Sequence, residues 1–201
     1  MDPMDPGGAA VVTIVSGPPR AGTSLMMQML EAGGIAPLTD AARPPDAGNP
    51  RGYYELEAVK RLPADADWLA RAPGRAVKVI HALAPRLPEA EGRRYRIVWM
   101  ERDLGEVVRS QAALLERLGR APTDGLPDAR VAEILGQQLA RAERVLDARP
   151  DVTRIPVDHA ALLRDPRAAA AELARRLGGG LDAEAMARTV DPALHRVRAL
   201  G

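Results

Sequence analysis

The sequence predicts an α/β fold: three layers, with a doubly wound, mainly parallel sheet and helices on both faces. Three observations carry this. A β-branched apolar run, Val11–Val15, leads through a glycine- and proline-rich turn into an apolar-periodic helix. Three further short apolar runs, Ala76–Ile80, Arg96–Met100 and Val152–Val157, are separated by stretches of helical character, the alternation that builds a parallel sheet. The chain has 201 residues, enough for one such domain with a substantial core, and it shows no internal repeat. Residues 1–10 are expected to trail as a disordered tail, leaving 11–201 as a single α/β domain.

Taken in order, the first strand is Val11–Ser16. Helix one runs from Ser24 to about Ala32, with Leu25, Met26, Met29 and Leu30 at core spacing, and Gly33-Gly34 end it. Residues 36–52 hold four prolines and two glycines and show no periodicity, as a functional or disordered loop would. GYYELEAVKRL follows. Its Tyr53, Tyr54 and Glu55 either line a substrate pocket or begin a surface helix ending near Leu62. Trp68 is expected to anchor a short helical piece over Asp65–Ala70.

Ala76–Ile80 is the second strand, with His81 at its C-terminal end, which is the ligand-bearing edge of an open parallel sheet. Lys78 lies within this strand, where it either reaches out at the sheet end or snorkels. Arg96–Met100 is the third strand, and Glu101-Arg102-Asp103 leave its end. Leu104–Leu118 forms a helix with Val107, Val108, Ala112, Leu115 and Leu118 inward. Asp103 caps it, with Glu106 as the capping-box partner. After a loop over Gly119–Pro127, Asp128–Ala148 is a long amphipathic helix. Its apolar stripe is Val131, Ile134, Leu135, Leu139, Val145 and Leu146. Val152–Val157 is the fourth strand. Pro166 opens a helix running to Leu177, and Asp182 caps a last one reaching about Thr189.

Composition narrows the function classes. Net charge is +1, which argues against a nucleic-acid partner or a polybasic membrane patch. The absence of cysteine removes disulfides, thiolate metal sites and cysteine nucleophiles. No apolar run approaches the roughly 18 residues of a membrane span, and MDPMDPGG lacks the features of a signal peptide. A soluble cytoplasmic protein is the resulting expectation. The bias toward Ala, Arg, Pro and Gly has a bacterial look. Only two lysines occur, Lys60 and Lys78.

The turn after the first strand holds the chemistry. In SGPPRAGTS, Gly17 and Gly22 have the spacing of the two glycines of a nucleotide P-loop. The P-loop lysine is missing: Thr23 stands there, and the loop's cation is Arg20. Strand, glycine turn and helix N-terminus together present unpaired backbone N–H groups and partial positive charge to an oxyanion. A ligand-free Gly/Pro turn is the plain alternative.

Two spacings resemble one family. SGPPRAGTS is similar to the 5′-phosphosulfate loop of the PAPS-dependent sulfotransferases, in its arginine form. ERDLGEVVRS resembles their 3′-phosphate motif, an arginine at a strand end and a serine eight residues on: Arg102 and Ser110. VDHAALLRDPRAAAAELARRLG and DPALHRVRAL also look like the closing segments of short bacterial members. The resemblance implies a fold of the P-loop type and transfer of a sulfuryl group from PAPS to a hydroxyl or amine of a small-molecule acceptor, with no required metal. It implies that Arg20 contacts the phosphosulfate and stabilises the leaving oxygen. Pro19, Ala21, Gly22, Thr23 and Ser24 complete the 5′-phosphate loop, and Arg102 and Ser110 take the 3′-phosphate. Ala21 departs from the family's usual serine, and its C-terminal glycine-rich segment is not recognisable.

For the general base, the resemblance offers two candidates. His81 in KVIH matches the histidine that cytosolic members carry just after a lysine-bearing strand, with one extra residue. Glu55 in GYYE matches the glutamate used by Golgi-type members. Two other functions stay in view. One is a divergent small-molecule kinase, with Glu101 as a magnesium-binding acid. The other is a non-catalytic nucleotide-binding module. Acceptor identity and oligomeric state are open at this point.

Overall fold

The computed structural model describes residues 4–5, 8–40, 52–89, 92–119 and 125–191. Most of the loop expected over 36–52, residues 120–124 of the next loop and nearly all of DPALHRVRAL lie outside these. Four strands, β1 (Ala10–Ser16), β2 (Ala76–Lys78), β3 (Arg93–Glu101) and β4 (Val152–Asp158), form one sheet. Its order is β2-β1-β3-β4, and every pairing is parallel. Among the described residues, six α-helices follow in chain order: α1 (Thr23–Ala32), α2 (Leu104–Arg117), α3 (Asp128–Asp147), α4 (His159–Arg164), α5 (Pro166–Arg176) and α6 (Ala183–Arg188).

The sheet is covered on both faces, which is why β1 reads as a near-continuous apolar run, interrupted only by the buried Thr13 before its closing Ser16. Val12, Ile14, Tyr95, Ile97 and Trp99 pack on one face with Val107 of α2 and Leu135, Leu139 and Leu146 of α3. Val15, Val98, Met100 and Ile155 pack on the other with the methionines of α1, Leu173 of α5 and Met186 of α6. The predicted three-layer, doubly wound architecture is therefore the one observed. The chain moves from β1 outward to β2, returns past β1 to β3, and goes outward again to β4. The direction reverses between β1 and β3. At such a switch point the connections leave to opposite faces, and a crevice opens at the strand C-terminal ends.

Several boundaries and faces differ from expectation. Within the expected tail, Ala10 belongs to β1, and Met4 bridges to it in antiparallel fashion. Asp5 Oδ1 accepts from Ala9 N at 2.7 Å, so the described part of the tail folds back. β2 is shorter than predicted and β3 longer. Leu118 is 55% exposed because it lies beyond the last turn of α2, and Val145 is 41% exposed. The buried stripe of α3 runs Leu135, Leu139, Ala142, Leu146. Val145 sits one residue off it, about 100° round the helix. Ala112, Leu115, Val131 and Ile134 are half-buried. α4 was not foreseen; Asp158 caps it, accepting from Ala161 N at 2.6 Å. Pro156 is tolerated in β4 because that strand lies on the edge of the sheet. The piece carrying Trp68 is a 3-10 turn over Asp67–Arg71, with the indole 2% exposed. Among the described residues, no helix is long and apolar enough to cross a membrane.

Gly17 marks where the β1 loop crosses the end of β3. Its φ is +139°, and a Cβ there would sit 2.5 Å from the Met100 carbonyl oxygen. Gly17→Ala is expected to cost about 2 kcal/mol through strain and displaced backbone, read as a fall in the urea midpoint at constant m-value.

Candidate active site

The loop between β1 and α1 is built to leave amides unpaired. Gly22 takes a left-handed conformation (φ +85°) at the helix N-cap and offers no side chain to cap the first turn. The first-turn N–H groups of α1 thus face outward, beside the hydroxyls of Thr23 and Ser24. A Cβ at Gly22 would meet the His159 ring at 2.7 Å, so the loop is pressed against the start of α4. Ala21 faces the other way. Its methyl is fully buried in the core under the loop, and its N–H donates to the Pro18 carbonyl at 3.3 Å. The residue expected among the ligand-binding positions therefore anchors the loop from below.

Three predicted site residues interlock at the switch point. Arg102 leaves the end of β3 with its side chain only 8% exposed. Its Nη1 donates to the Arg20 carbonyl at 2.8 Å, and its Nε donates to Glu106 Oε2 at 3.0 Å. Asp103 caps α2 as predicted, accepting from Glu106 N at 2.8 Å, while the Glu106 carboxylate goes to Arg102. Arg20, in a left-handed conformation (φ +63°), turns its Nε to Ser110 Oγ at 3.1 Å. Sequence positions 20, 102 and 110 thus meet in one place.

Lys78 joins them. Its Nζ donates to Ser24 Oγ at 3.2 Å and to the Tyr53 carbonyl at 3.0 Å, and it lies 6.0 Å from the Tyr53 ring centroid. The sequence reading left this lysine between two roles. Its place near the C-terminal end of a strand, in a chain with two lysines, was the available signal; that this strand lies beside β1 is a finding of the fold. A cation missing from the loop itself is thereby supplied from the neighbouring strand.

These groups line one cavity of about 760 Å³, within the range of small-molecule sites. Of the predicted site residues, Pro19, Arg20, Gly22, Thr23, Ser24, Glu55, His81, Arg102 and Ser110 all face it. Arg20, Lys60, Lys78, Arg102 and Arg117 bring positive charge to its walls, against Glu55 and Asp191. Tyr53 lines it too. Tyr54 turns away at φ +54° and donates to Glu31 Oε2 at 2.6 Å. His81 has Nε2 3.4 Å from Gln138 Oε1, while its Nδ1 is buried without a partner. His159 also lines the cavity, and no spacing in the sequence pointed to it.

Comparison with solved structures places this architecture. A sulfotransferase domain from the olefin synthase of Synechococcus PCC 7002 superposes with a TM-score of 0.56 at 18% identity, covering 96% of this chain and 90% of that one. This chain has a sulfotransferase-type fold. A second such domain, from the curacin biosynthetic pathway, gives a TM-score of 0.52 at 14% identity, over 91% of this chain and 88% of that one. No family model matches the chain, and no curated protein does.

The clamp made by Arg102 uses two edges of a planar guanidinium, which an ammonium cannot reproduce. Arg102→Lys is expected to lose about 2 kcal/mol of stability, because Glu106 and the Arg20 carbonyl are left short of a donor. Urea unfolding of the variant against the parent protein measures this.

Proposed function

We propose that this protein transfers a sulfuryl group from PAPS to a hydroxyl (or amine) of a small-molecule acceptor. The observation that carries the proposal is the meeting of Arg20, Arg102 and Ser110 at the sheet's switch point. That arrangement offers two anion-binding positions on one cavity: the amide-lined loop at the end of β1, and the Arg102–Ser110 corner at the end of β3. A donor with phosphate on both the 5′ and 3′ positions matches that donor set. It supplies the sulfuryl group, whose sulfur–oxygen bond to the 5′-phosphate breaks as a bond to the acceptor oxygen forms.

The chain's own groups then have distinct tasks. The α1 amides, Thr23 and Ser24 hold the 5′-phosphate. Arg20 and Lys78 place positive charge where the leaving oxygen gains negative charge, the kind of fixed electrostatic help that dominates such transfers. Ser110 Oγ accepts from Arg20, which leaves its own O–H to donate to a 3′-phosphate. Glu55 receives the acceptor's proton. Its carboxylate stands on the half-buried cavity wall, while the unpartnered nitrogen of His81 is sealed from solvent. Glu101 does not support a kinase. It points to the α3 side of the sheet, 4.0 Å from Arg154, where burial and then Glu143 push its carboxyl above the usual range.

PAP release from PAPS over a panel of hydroxyl and amine acceptors tests the proposal. Arg20→Ala is expected to lower kcat about a hundredfold, a loss on the order of 3 kcal/mol. Glu55→Gln is expected to abolish turnover while PAP still binds, and His81→Ala to keep most of it. Normal turnover in Glu55→Gln contradicts the base assignment. Arg20→Ala with parental kcat contradicts the proposal itself.

A further inference from the structure

The polarity of the cavity changes along its α2 wall. At the phosphate end stand Arg20, Arg102 and Ser110. Along α2, the residues that follow Ser110 on the same face are Ala113 and Leu114, and then Arg117. The α2 wall therefore runs from the cationic corner through apolar residues to a second cation. Leu56, Val59 and Lys60 also line the cavity. Among the described residues, Arg117 has one hydrogen bond, from Nε to the Ala113 carbonyl at 3.0 Å, which lays its guanidinium back along the helix toward the cavity. That bond is to a neutral group, and among the described residues Arg117 has no ion-pair partner. Lys60 differs, since it pairs with Glu57 at 2.7 Å.

We propose, resting on the sulfuryl-transfer reading above, that the acceptor is an alcohol on an apolar chain whose far end is anionic, with Arg117 receiving the anion. An apolar chain gains by leaving water against Leu56, Val59 and Leu114. A neutral alcohol of the same length gains this equally, so the rim cation sets the preference between the two. Ser110 and Arg117 are seven residues apart on α2, so the rim cation stands about 10 Å beyond the 3′-phosphate corner, a span that an eight-carbon chain matches and that sets the length of the probes. The planar guanidinium can take a carboxylate or a phosphate in two-point contact.

The probes are n-octanol, ω-hydroxyoctanoate and ω-aminooctanol. Each is titrated calorimetrically into the protein saturated with PAP and then assayed with PAPS. The parent protein is expected to favour ω-hydroxyoctanoate over n-octanol by about fivefold in both affinity and kcat/KM, as a partly exposed ion pair would. Arg117→Glu is expected to reverse the order in favour of ω-aminooctanol, with circular dichroism confirming the fold. Equal affinity for the three probes, or an order unchanged in Arg117→Glu, overturns the proposal while leaving sulfuryl transfer intact. Failure of PAP itself to bind overturns the reading on which it rests, and the proposal with it.

Discussion

The guanidinium of Arg102 ties together two parts of the chain that meet only because the sheet reverses its winding between β1 and β3. One edge holds the carbonyl of Arg20 and another holds Glu106. The β1 loop is thereby fixed to the first turn of α2. An arginine left in a left-handed conformation pays for that conformation in backbone strain, and it persists only where surrounding bonds over-determine it. Here they do: Arg102 holds the residue's carbonyl, and Ser110 accepts from its side chain. The loop's shape, the opening of its amides and the aim of its cation follow from this one joint.

The second constraint is that positive charge is gathered from three strand ends. The loop lacks the usual P-loop lysine, yet Lys78 reaches Ser24 from β2, and Arg102 arrives from β3. Concentrating cations this way is unfavourable without a counter-charge. Glu106 offsets part of it at Arg102, and the Tyr53 carbonyl and Ser24 hydroxyl solvate Lys78. What is left is directed into the cavity. This distribution suits a polyanionic ligand better than a neutral one. It also explains why a chain with a net charge of only +1 carries a strongly cationic pocket.

Much of this was legible in the sequence because it depended on local pattern. The β-branched run with its glycine turn marked β1 and the loop, and Asp103 with Glu106 marked the start of α2. Arg102 and Ser110, one at the end of β3 and the other in the second turn of α2, are joined through Arg20, whose carbonyl and side chain they respectively hold. What escaped was set by tertiary packing. The fate of Lys78 depended on β2 lying beside β1, which no local signal encodes. His159 reached the cavity only because β4 delivers α4 against Gly22. Ala21, placed by motif among the ligand positions, had its side chain turned into the core by the loop's own geometry. Val145 was misplaced by a single step round α3, since a stripe of mixed three and four spacing leaves the adjacent apolar position exposed.

Calorimetric titration of PAP against AMP, without magnesium, bears most directly on the two-position site, since the ligands differ in the 3′-phosphate alone. The expected result is micromolar binding of PAP, at least about tenfold tighter than AMP, with the gap closing in Ser110→Ala. Equal affinities for PAP and AMP, or ATP binding that requires magnesium and exceeds both, would contradict a 3′-phosphate position at Arg102 and Ser110.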